Sequence, residues 1–432
     1  MASATSTLTP KRGRIRALRA AVLRARDPGA NLTWVVLGKA LLMGTNTALL
    51  LLLAARLPIA VYGLFVAIAG AQVVLSRIVL AGTDGGVVRL SSMPGPFARG
   101  ECIGAGVAIV RRTALAIALA GLATMALPLP WPKWVGPVVA AGAIGIALVD
   151  FGYFCRLARL EYRAASLVQS GMGTARLVLV GAALLLWPAH PVAVFIAYAA
   201  GSLATGLAQL LTASRNAAQP SSHMVKRLFR YSIWQGTASV LITAALQVGT
   251  FIFFALKEPD AAGIFGLGLS LSLPFFFFYN AFFEFLLPRI SRENGPKLGR
   301  TVLGWTAVAF GLATLALPIA ALAGFAFHWA LRPALHTSIP VFYWLAASQL
   351  LLVPQAVFES ASHALLRPVY VAITWAVRLA ATAIAVYLFA GGGGPVRAAA
   401  GQFLAGLLAL GVIVVLVTVR IANRSLPKTS LQ

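Results

Sequence analysis

The sequence predicts an all-α integral membrane protein with about 12 transmembrane helices, arranged as two parallel six-helix halves. Three observations carry that reading. Of the 432 residues 60% are hydrophobic and only 10% charged, with a mean hydropathy of +0.87. A soluble domain of that composition would have more apolar side chain than interior to hide it in. The apolar residues also fall in runs long enough to cross a bilayer as helices, with no polar alternation. Lipid offers no partners for backbone N–H and C=O groups, so a span is a helix or part of a closed barrel, and the missing alternation excludes the barrel. The third observation is an internal repeat, described below.

The apolar runs place spans near 33–55, 59–82, 104–128, 134–156, 164–187, 191–213, 232–256, 261–287, 301–324, 339–364, 368–390 and 397–420. Arg111 and Arg112 interrupt the start of the third, where a helix is expected to run from water into the membrane. The spans divide the chain into a basic N-terminal segment (1–32), an N-lobe (33–213), a linker (214–231), a C-lobe (232–420) and a tail (421–432).

The net charge of +25, from 35 Lys and Arg against 10 Asp and Glu, would suggest nucleic acid in a soluble protein. Its distribution points elsewhere. The N-terminal segment, the even-numbered loops and the tail hold 27 of the 35, and the odd-numbered loops only five: Arg56, Lys133, Lys257, Arg332 and Arg397. Basic residues collect on the cytoplasmic side and face anionic headgroups, so both termini are expected in the cytoplasm, with membrane lipids and not nucleic acid as partners. The stretch 1–30 is too long and too basic, and is followed by too full a span, for a cleavable signal peptide. Ile15, Leu18 and Val22 sit at helical spacing among its arginines, as in an amphipathic helix on the inner leaflet. The glycosylation sequon Asn31-Leu32-Thr33 falls on the wrong side of the membrane to be used.

Cys102 and Cys155 both lie near the reducing face, so no structural disulfide is expected. No zinc or haem spacing occurs, and no G-x-x-x-x-G-K-[ST] loop, so neither a cofactor nor ATP bound to this chain is expected.

The repeat has an offset of 200 residues. Trp34 matches Trp234, Leu41 matches Leu241, Gly63 matches Gly263, Phe65 matches Phe265 and Arg89 matches Arg289. Late in each half, Ala199-Ala200-Gly201 matches Ala399-Ala400-Gly401, and Gly206-Leu207 matches Gly406-Leu407. Six spans per half is an even number, so both halves insert the same way, related by an axis along the membrane normal. Transporters built so place the substrate path between the halves.

At the second span, Val61-Tyr62-Gly63-Leu64-Phe65 opens it and Gly82-Thr83-Asp84-Gly85-Gly86-Val87-Val88-Arg89 closes it. In the second half Ala262-Gly263-Ile264-Phe265 opens the corresponding span, and Leu286-Leu287-Pro288-Arg289-Ile290-Ser291-Arg292 closes it. These stretches resemble the aromatic-Gly start, the Gly…Arg exit and the Pro-x-Ile-Ser-Arg segment of the oligosaccharide-lipid flippases of the MOP (multidrug, oligosaccharidyl-lipid, polysaccharide) superfamily. The resemblance covers nearly the whole chain through short motifs. It implies two six-helix lobes forming a V around a central cavity, and alternating access that moves a polyprenyl-pyrophosphate-linked oligosaccharide outward. It also implies a monomer, glycan-biosynthesis enzymes as partners, and no covalent chemistry. The chain departs from the pattern at Ala245-Leu246-Gln247-Val248, where many members carry an acidic residue in the seventh span. Carboxylate-based cation coupling at that position lacks its residue.

A charge at the bilayer centre costs from about 2.5 to over 10 kcal/mol, so intramembrane ions usually face a cavity or a partner. Arg176 lies roughly 18 Å and Arg378 roughly 15 Å from the cytoplasmic ends of the fifth and eleventh spans, at a 1.5 Å rise per residue. Each is read either as a bidentate phosphate contact in a shared cavity or as a guanidinium paired with a carboxylate or carbonyl. Lys39, six residues into the first span, is placed for the cavity or for snorkelling to the surface. Arg89 and Arg289 either draw an anionic headgroup to the entrance or anchor topology. Asp150, Glu284 and Glu359 cluster toward the inner ends, with Arg156, Arg289 and Arg367 near them in sequence, and are read as ion pairs of an inner gate in preference to a proton relay. Gln247 and Asn280 line the cavity or bond between helices.

Two other functions compete with the flippase: a small-molecule exporter of the same superfamily, which would want a mid-membrane carboxylate, and an integral-membrane glycan polymerase or ligase. The longest external segment, about 325–338 with His328, Arg332 and His336, is short for the loop such an enzyme needs.

The charge asymmetry fixes a first test. Cysteines introduced at Lys133 and Lys257 in a background lacking Cys102 and Cys155 will react with an impermeant thiol reagent added outside intact cells, and cysteines at Arg227 and Lys297 will not. The reverse labelling would overturn the orientation.

Overall fold

The computed structural model describes residues 28–92, 99–128, 131–188, 190–215, 217–290, 296–365, 367 and 369–425. The basic stretch 1–27 with Ile15, Leu18 and Val22, the Ser291-Arg292 motif end and the tail from 426 lie outside the described residues, as does the side chain of Glu284. Among the described residues the secondary structure is helical, with 12 segments long and apolar enough to cross a membrane. They are Leu37–Arg56, Ile59–Leu80, Arg99–Ala123, Val135–Ala158, Tyr162–Leu186, Pro191–Arg215, Ser222–Ala255, Pro259–Leu287, Lys297–Ala330, Pro333–Ala364, Val369–Ala390 and Gly394–Asn423. Each overlaps one predicted span. The chain is a multi-pass membrane protein.

Two boundaries depart from the hydropathy reading. The third helix is Arg99–Ala123, which leaves Arg111 and Arg112 exposed near its middle. Its first turn is tied down by Glu101, whose Oε1 accepts from the Ser221 hydroxyl at 2.9 Å and from the Ser221 amide at 3.3 Å. The seventh helix begins at Ser222, well ahead of its apolar run. Ser221 caps it by accepting from the Met224 N–H at 3.2 Å, which carries Lys226, Arg227 and Arg230 on helix rather than loop.

Within each half, helices meet where small residues let backbones close. In the N-lobe, Ser166 Oγ of the fifth span donates to the Trp34 carbonyl of the first at 2.6 Å, and Gly145 of the fourth lies against Ser202 and Leu203 of the sixth. In the C-lobe, Gly268 of the eighth span lies against Val341 of the tenth.

The two halves meet along the second and eighth spans, and there the 200-residue offset becomes geometry. A Cβ on Gly63 would lie 2.1 Å from the Pro259 carbonyl oxygen and 2.9 Å from the Gly263 nitrogen. A Cβ on Gly263 would lie 2.6 Å from the Ile59 carbonyl oxygen and 3.3 Å from the Gly63 nitrogen. One turn deeper, a Cβ on Gly266 would fall 2.9 Å from Cβ of Val66. Residue i touches i+200, and the contact is reciprocal, as at a two-fold axis where one patch meets its own copy.

Around this axis the end of the bundle opposite the Arg-rich face is sealed by one apolar core shared between lobes. Leu53 of the first span, Tyr62 and Phe65 of the second and Phe195 of the sixth join Leu271 and Phe275 of the eighth and Leu335 and Phe342 of the tenth. Phe65 stacks on Phe195 at 5.9 Å and meets Tyr198 edge-on at 5.1 Å.

Toward the Arg-rich face the symmetry fails. The second span stays against the seventh to its end: the turn at Ala81 and Gly82 has positive φ (48° and 72°), and a Cβ on Gly82 would lie 2.2 Å from the Ser232 carbonyl oxygen. Glycine is therefore required at 82 twice over, by conformation and by space. The symmetry-related pair, the first and eighth spans, touches only sparsely. One lateral seam is shut and its counterpart is open.

The axis contact predicts a cross-link. The double substitution Val66→Cys, Gly266→Cys should form a disulfide on mild oxidation, since the Cβ atoms need only relax to the roughly 3.8 Å that a disulfide prefers. It is read as two halves that stay joined after proteolysis in the linker. Halves that separate would refute the register.

Candidate functional site

Arg378 is wholly buried in the C-lobe at the centre of a polar network. Its Nη2 donates to the Ser348 hydroxyl at 2.8 Å and the Ser348 carbonyl at 3.1 Å, and its Nη1 reaches Gln355 Oε1 at 3.5 Å. The other end of the Gln355 amide donates to Glu359 Oε1 at 2.8 Å. Trp375 Nε1 donates to the same oxygen at 2.8 Å, and Tyr279 donates to Glu359 Oε2 at 2.6 Å. Among the described residues three donors face Glu359, the set an ionised carboxylate takes. Gln355 reads both charges at once, oxygen toward the cation and nitrogen toward the anion. The Arg378 guanidinium also sits 5.3 Å from the Trp375 ring centre. Removing either ion would leave the other buried and uncompensated, a loss of about 3–5 kcal/mol.

This corrects two expectations. Arg378 does have an acid at its own depth, because the tenth span brings Glu359 to it through Gln355. Glu359 in turn bonds to Tyr279, Gln355 and Trp375, not to its sequence neighbour Arg367.

Arg176 lies inside the N-lobe and differs from its counterpart. Its Nε donates to Ser202 Oγ at 2.8 Å, and its guanidinium covers the Tyr198 ring at 4.3 Å. No acid hydrogen-bonds or ion-pairs with it among the described residues, and its Nη2 is buried without a partner. The contacts of Arg176 come from the N-lobe and those of Arg378 from the C-lobe, so the structure does not bring the two into one cavity.

Four other candidate residues lie where the lobes face each other. Lys39 of the first span reaches the Phe277 ring of the eighth at 5.7 Å, across the open seam. Asn280 follows Phe277 by three residues, on the same helix face, and is half-buried. Arg89, at the end of the short helix Thr83–Ser92, covers the Tyr231 ring of the seventh span at 5.8 Å and falls within electrostatic reach of His363. Gln247 is buried in the closed seam, its Oε1 2.7 Å from where a Gly70 Cβ would stand. Arg289 stays within its own lobe, its guanidinium over the Phe285 ring of its own helix at 3.4 Å.

Asp150 pairs with Arg77 at 3.0 Å, correcting the expected partner Arg156, which donates instead to Gln209 at 3.0 Å. Asp84, in the first turn of the helix Thr83–Ser92, completes a group of two acids around Arg77. Burial raises its carboxyl above the ordinary range, with Arg77 and the Gly85 amide opposing. The Arg77 partnership crosses 73 positions of sequence and had no local signal. The i, i+4 spacing of Gln355 and Glu359 and the i, i+3 spacing of Trp375 and Arg378 were visible signals of a helix-face network.

Arg332 is the residue whose role sequence reading missed. From the connection between the ninth and tenth spans its Nη2 donates to the Leu57 carbonyl at 2.9 Å and to the Ala54 carbonyl, capping the first span from the opposite lobe. With the shared apolar core beneath it, this closes the end opposite the Arg-rich face.

No family model matches the chain, and no curated protein sequence matches it. Solved structures do. An inward-facing multidrug resistance MATE family transporter of the MOP superfamily aligns with a TM-score of 0.66 at 12% identity, over 92% of this chain and 99% of that one. The lipid II flippase MurJ in an inward closed conformation gives 0.64 at 12% identity, over 90% and 89%. An outward-facing MATE transporter gives 0.54 at 14% identity, over 91% and 95%. The chain therefore has the fold of the MOP-superfamily transporters.

The bridge makes a prediction. Arg332→Ala removes two hydrogen bonds between a charged donor and backbone carbonyls, about 1.5–3 kcal/mol each, and should shift the population toward a form open at that end. A cysteine at Leu57, only 5% exposed in this form, should then react faster with a thiol reagent than it does with Arg332 intact. Unchanged reactivity would show that the bridge does not hold the closure.

Proposed function

We propose that this protein is an alternating-access carrier that moves a lipid-linked anionic glycan, of the polyprenyl-pyrophosphate type, from one membrane face to the other. The observation that carries the reading is the polarity of the inter-lobe surfaces. Lys39 and Arg89 bring positive charge to them, whereas the mid-depth acid of the C-lobe is sealed by three hydrogen bonds and Asp150 is held by Arg77. A cationic drug would find no free carboxylate there among the described residues. A phosphate would exchange with the present partners of the Lys39 ammonium and the Arg89 guanidinium, which include the Phe277 and Tyr231 rings.

The sparse contact between the first and eighth spans supports the same reading. A polyprenyl tail stays in lipid while its head enters between the lobes, and an opening on one lateral side permits that. Phe277 and Asn280 of the eighth span, facing Lys39 of the first, offer sugar and phosphate contacts at this seam. Arg176 keeps a buried donor and no acid among the described residues inside the N-lobe, while Arg378 holds the C-lobe together. Breakage of a covalent bond has no place in this scheme. The orientation that fits the basic loops puts the Arg-rich face and both termini in the cytoplasm, with export of the glycan the direction of transport. The solved neighbours include both a lipid II flippase and multidrug transporters, so fold alone does not choose; the sign of the charge favours the flippase.

Reconstitution in liposomes tests this. The wild type should translocate a fluorescent polyprenyl-pyrophosphate oligosaccharide but not a lipophilic cation dye. Lys39→Ala with Arg89→Ala should reduce the glycan rate by roughly tenfold or more, as lost charge-assisted contacts imply. Lys39→Arg and Arg89→Lys should keep part of it. Dye transport without glycan transport would sink the proposal.

A further inference from the structure

A second anion-binding feature lies away from the inter-lobe surfaces, at the end of the sixth span far from Phe195 and Tyr198. There the last turns of the fourth span and of the sixth enclose a cavity of about 200 Å³. Gly152 allows the two helices to close over it, since a Cβ at that position would stand 2.6 Å from Cβ of Gln209. Two arginines one turn apart on the fourth span, Arg156 and Arg159, line it from one side, and Gln209 and Thr212 of the sixth line it from the other. Arg156 is pre-oriented by its 3.0 Å bond to Gln209. The Arg159 guanidinium forms no hydrogen bond or ion pair with another described residue, its backbone N–H alone closing the fourth helix on the Arg156 carbonyl at 3.0 Å. Both guanidinium groups fall within electrostatic reach of the Cys155 sulfur on the floor. One acid, Glu161, also lines the cavity; it pairs with neither arginine among the described residues, and the lining keeps a net positive charge.

The position specifies the ligand further. Arg156 lies in the last turn of the fourth span and Arg159 just past its end, where basic residues meet anionic headgroups. Leu207 and Leu211, one turn apart on the sixth span, are 47% and 64% exposed and lie about half a turn round the helix from Gln209, so the helix that walls the cavity presents an apolar face outward. A fixed guanidinium fork beside a second guanidinium, at the end of a helix with an apolar outer face, suits a phosphate with hydrocarbon attached.

We propose that this cavity is a phosphate-ester site, filled by the phosphodiester headgroup of an anionic phospholipid whose chains extend into the adjoining bilayer. It is a resident-lipid site of the N-lobe and does not depend on what the protein transports.

Native mass spectrometry of the purified full chain tests it, using phosphatidylglycerol, phosphatidylcholine and inorganic phosphate as probes. Arg159→Gln should lower phosphatidylglycerol retention by roughly tenfold, the loss of one charge-assisted hydrogen bond, and leave phosphatidylcholine adducts unchanged. Arg159→Lys should restore part of it. Thermal unfolding in lipid-free detergent should match wild type, because the Arg159 side chain bonds to no described residue and its backbone cap bond survives the substitution. Equal phosphatidylglycerol retention by wild type and Arg159→Gln would overturn the site. Displacement of the lipid by equimolar inorganic phosphate would overturn the lipid assignment in favour of a soluble phosphate.

Discussion

Two helices approach backbone to backbone only where neither side chain stands between them, and in a bilayer, where apolar side chains gain nothing by leaving lipid for protein, such approach is a main source of association. The second and eighth spans use it at Gly63 and Gly263, where each glycine nearly touches the other's main chain. Everything else in the bundle is arranged around that contact. It sets the axis relating the lobes, brings Val66 over Gly266, and gathers Phe65, Phe275 and Phe342 into one core between them. A larger residue at either glycine would push the halves apart and open the core that Arg332 caps.

The second constraint is the cost of charge away from water, and the two lobes meet it differently. In the C-lobe, Arg378 and Glu359 neutralise each other through Gln355, with Ser348, Trp375 and Tyr279 satisfying what remains. In the N-lobe, Arg176 has a hydroxyl and an aromatic face but no acid. Two acids of that lobe, Asp84 and Asp150, instead face Arg77 near the Arg-rich face. One half is rigidly self-compensated, and the other keeps net positive charge at depth.

Much of the fold was legible because hydropathy and glycine position are local or periodic properties. The spans, their even number and the offset of 200 follow from runs and recurrences, and Gly63 and Gly263 proved to be each other's neighbours. Partnerships across helices were not legible. Asp150 stands six residues from Arg156, yet helix rotation turns it toward Arg77 on another span. Glu359 stands eight residues from Arg367, yet its oxygens point at the eighth and eleventh spans. Sequence distance says nothing about which faces two crossing helices present. Arg332 escaped for a related reason: its acceptors are main-chain carbonyls, and no side-chain pattern announces those.

The repeat also shows how equal sequences come to do unequal work. Arg89 and Arg289 occupy matching positions, but Arg89 reaches across to Tyr231 of the other lobe while Arg289 folds back on Phe285 of its own helix. The difference follows from the seams. The second span ends in the Ala81-Gly82 turn, which lies against Ser232 and Gly236 of the seventh and delivers Arg89 to it. The eighth span has no such turn and continues as helix through Ile290, so nothing draws its end onto the first. A two-fold axis at one end and a broken symmetry at the other therefore coexist in one chain. The bundle is closed where the halves match and open to one side where they do not.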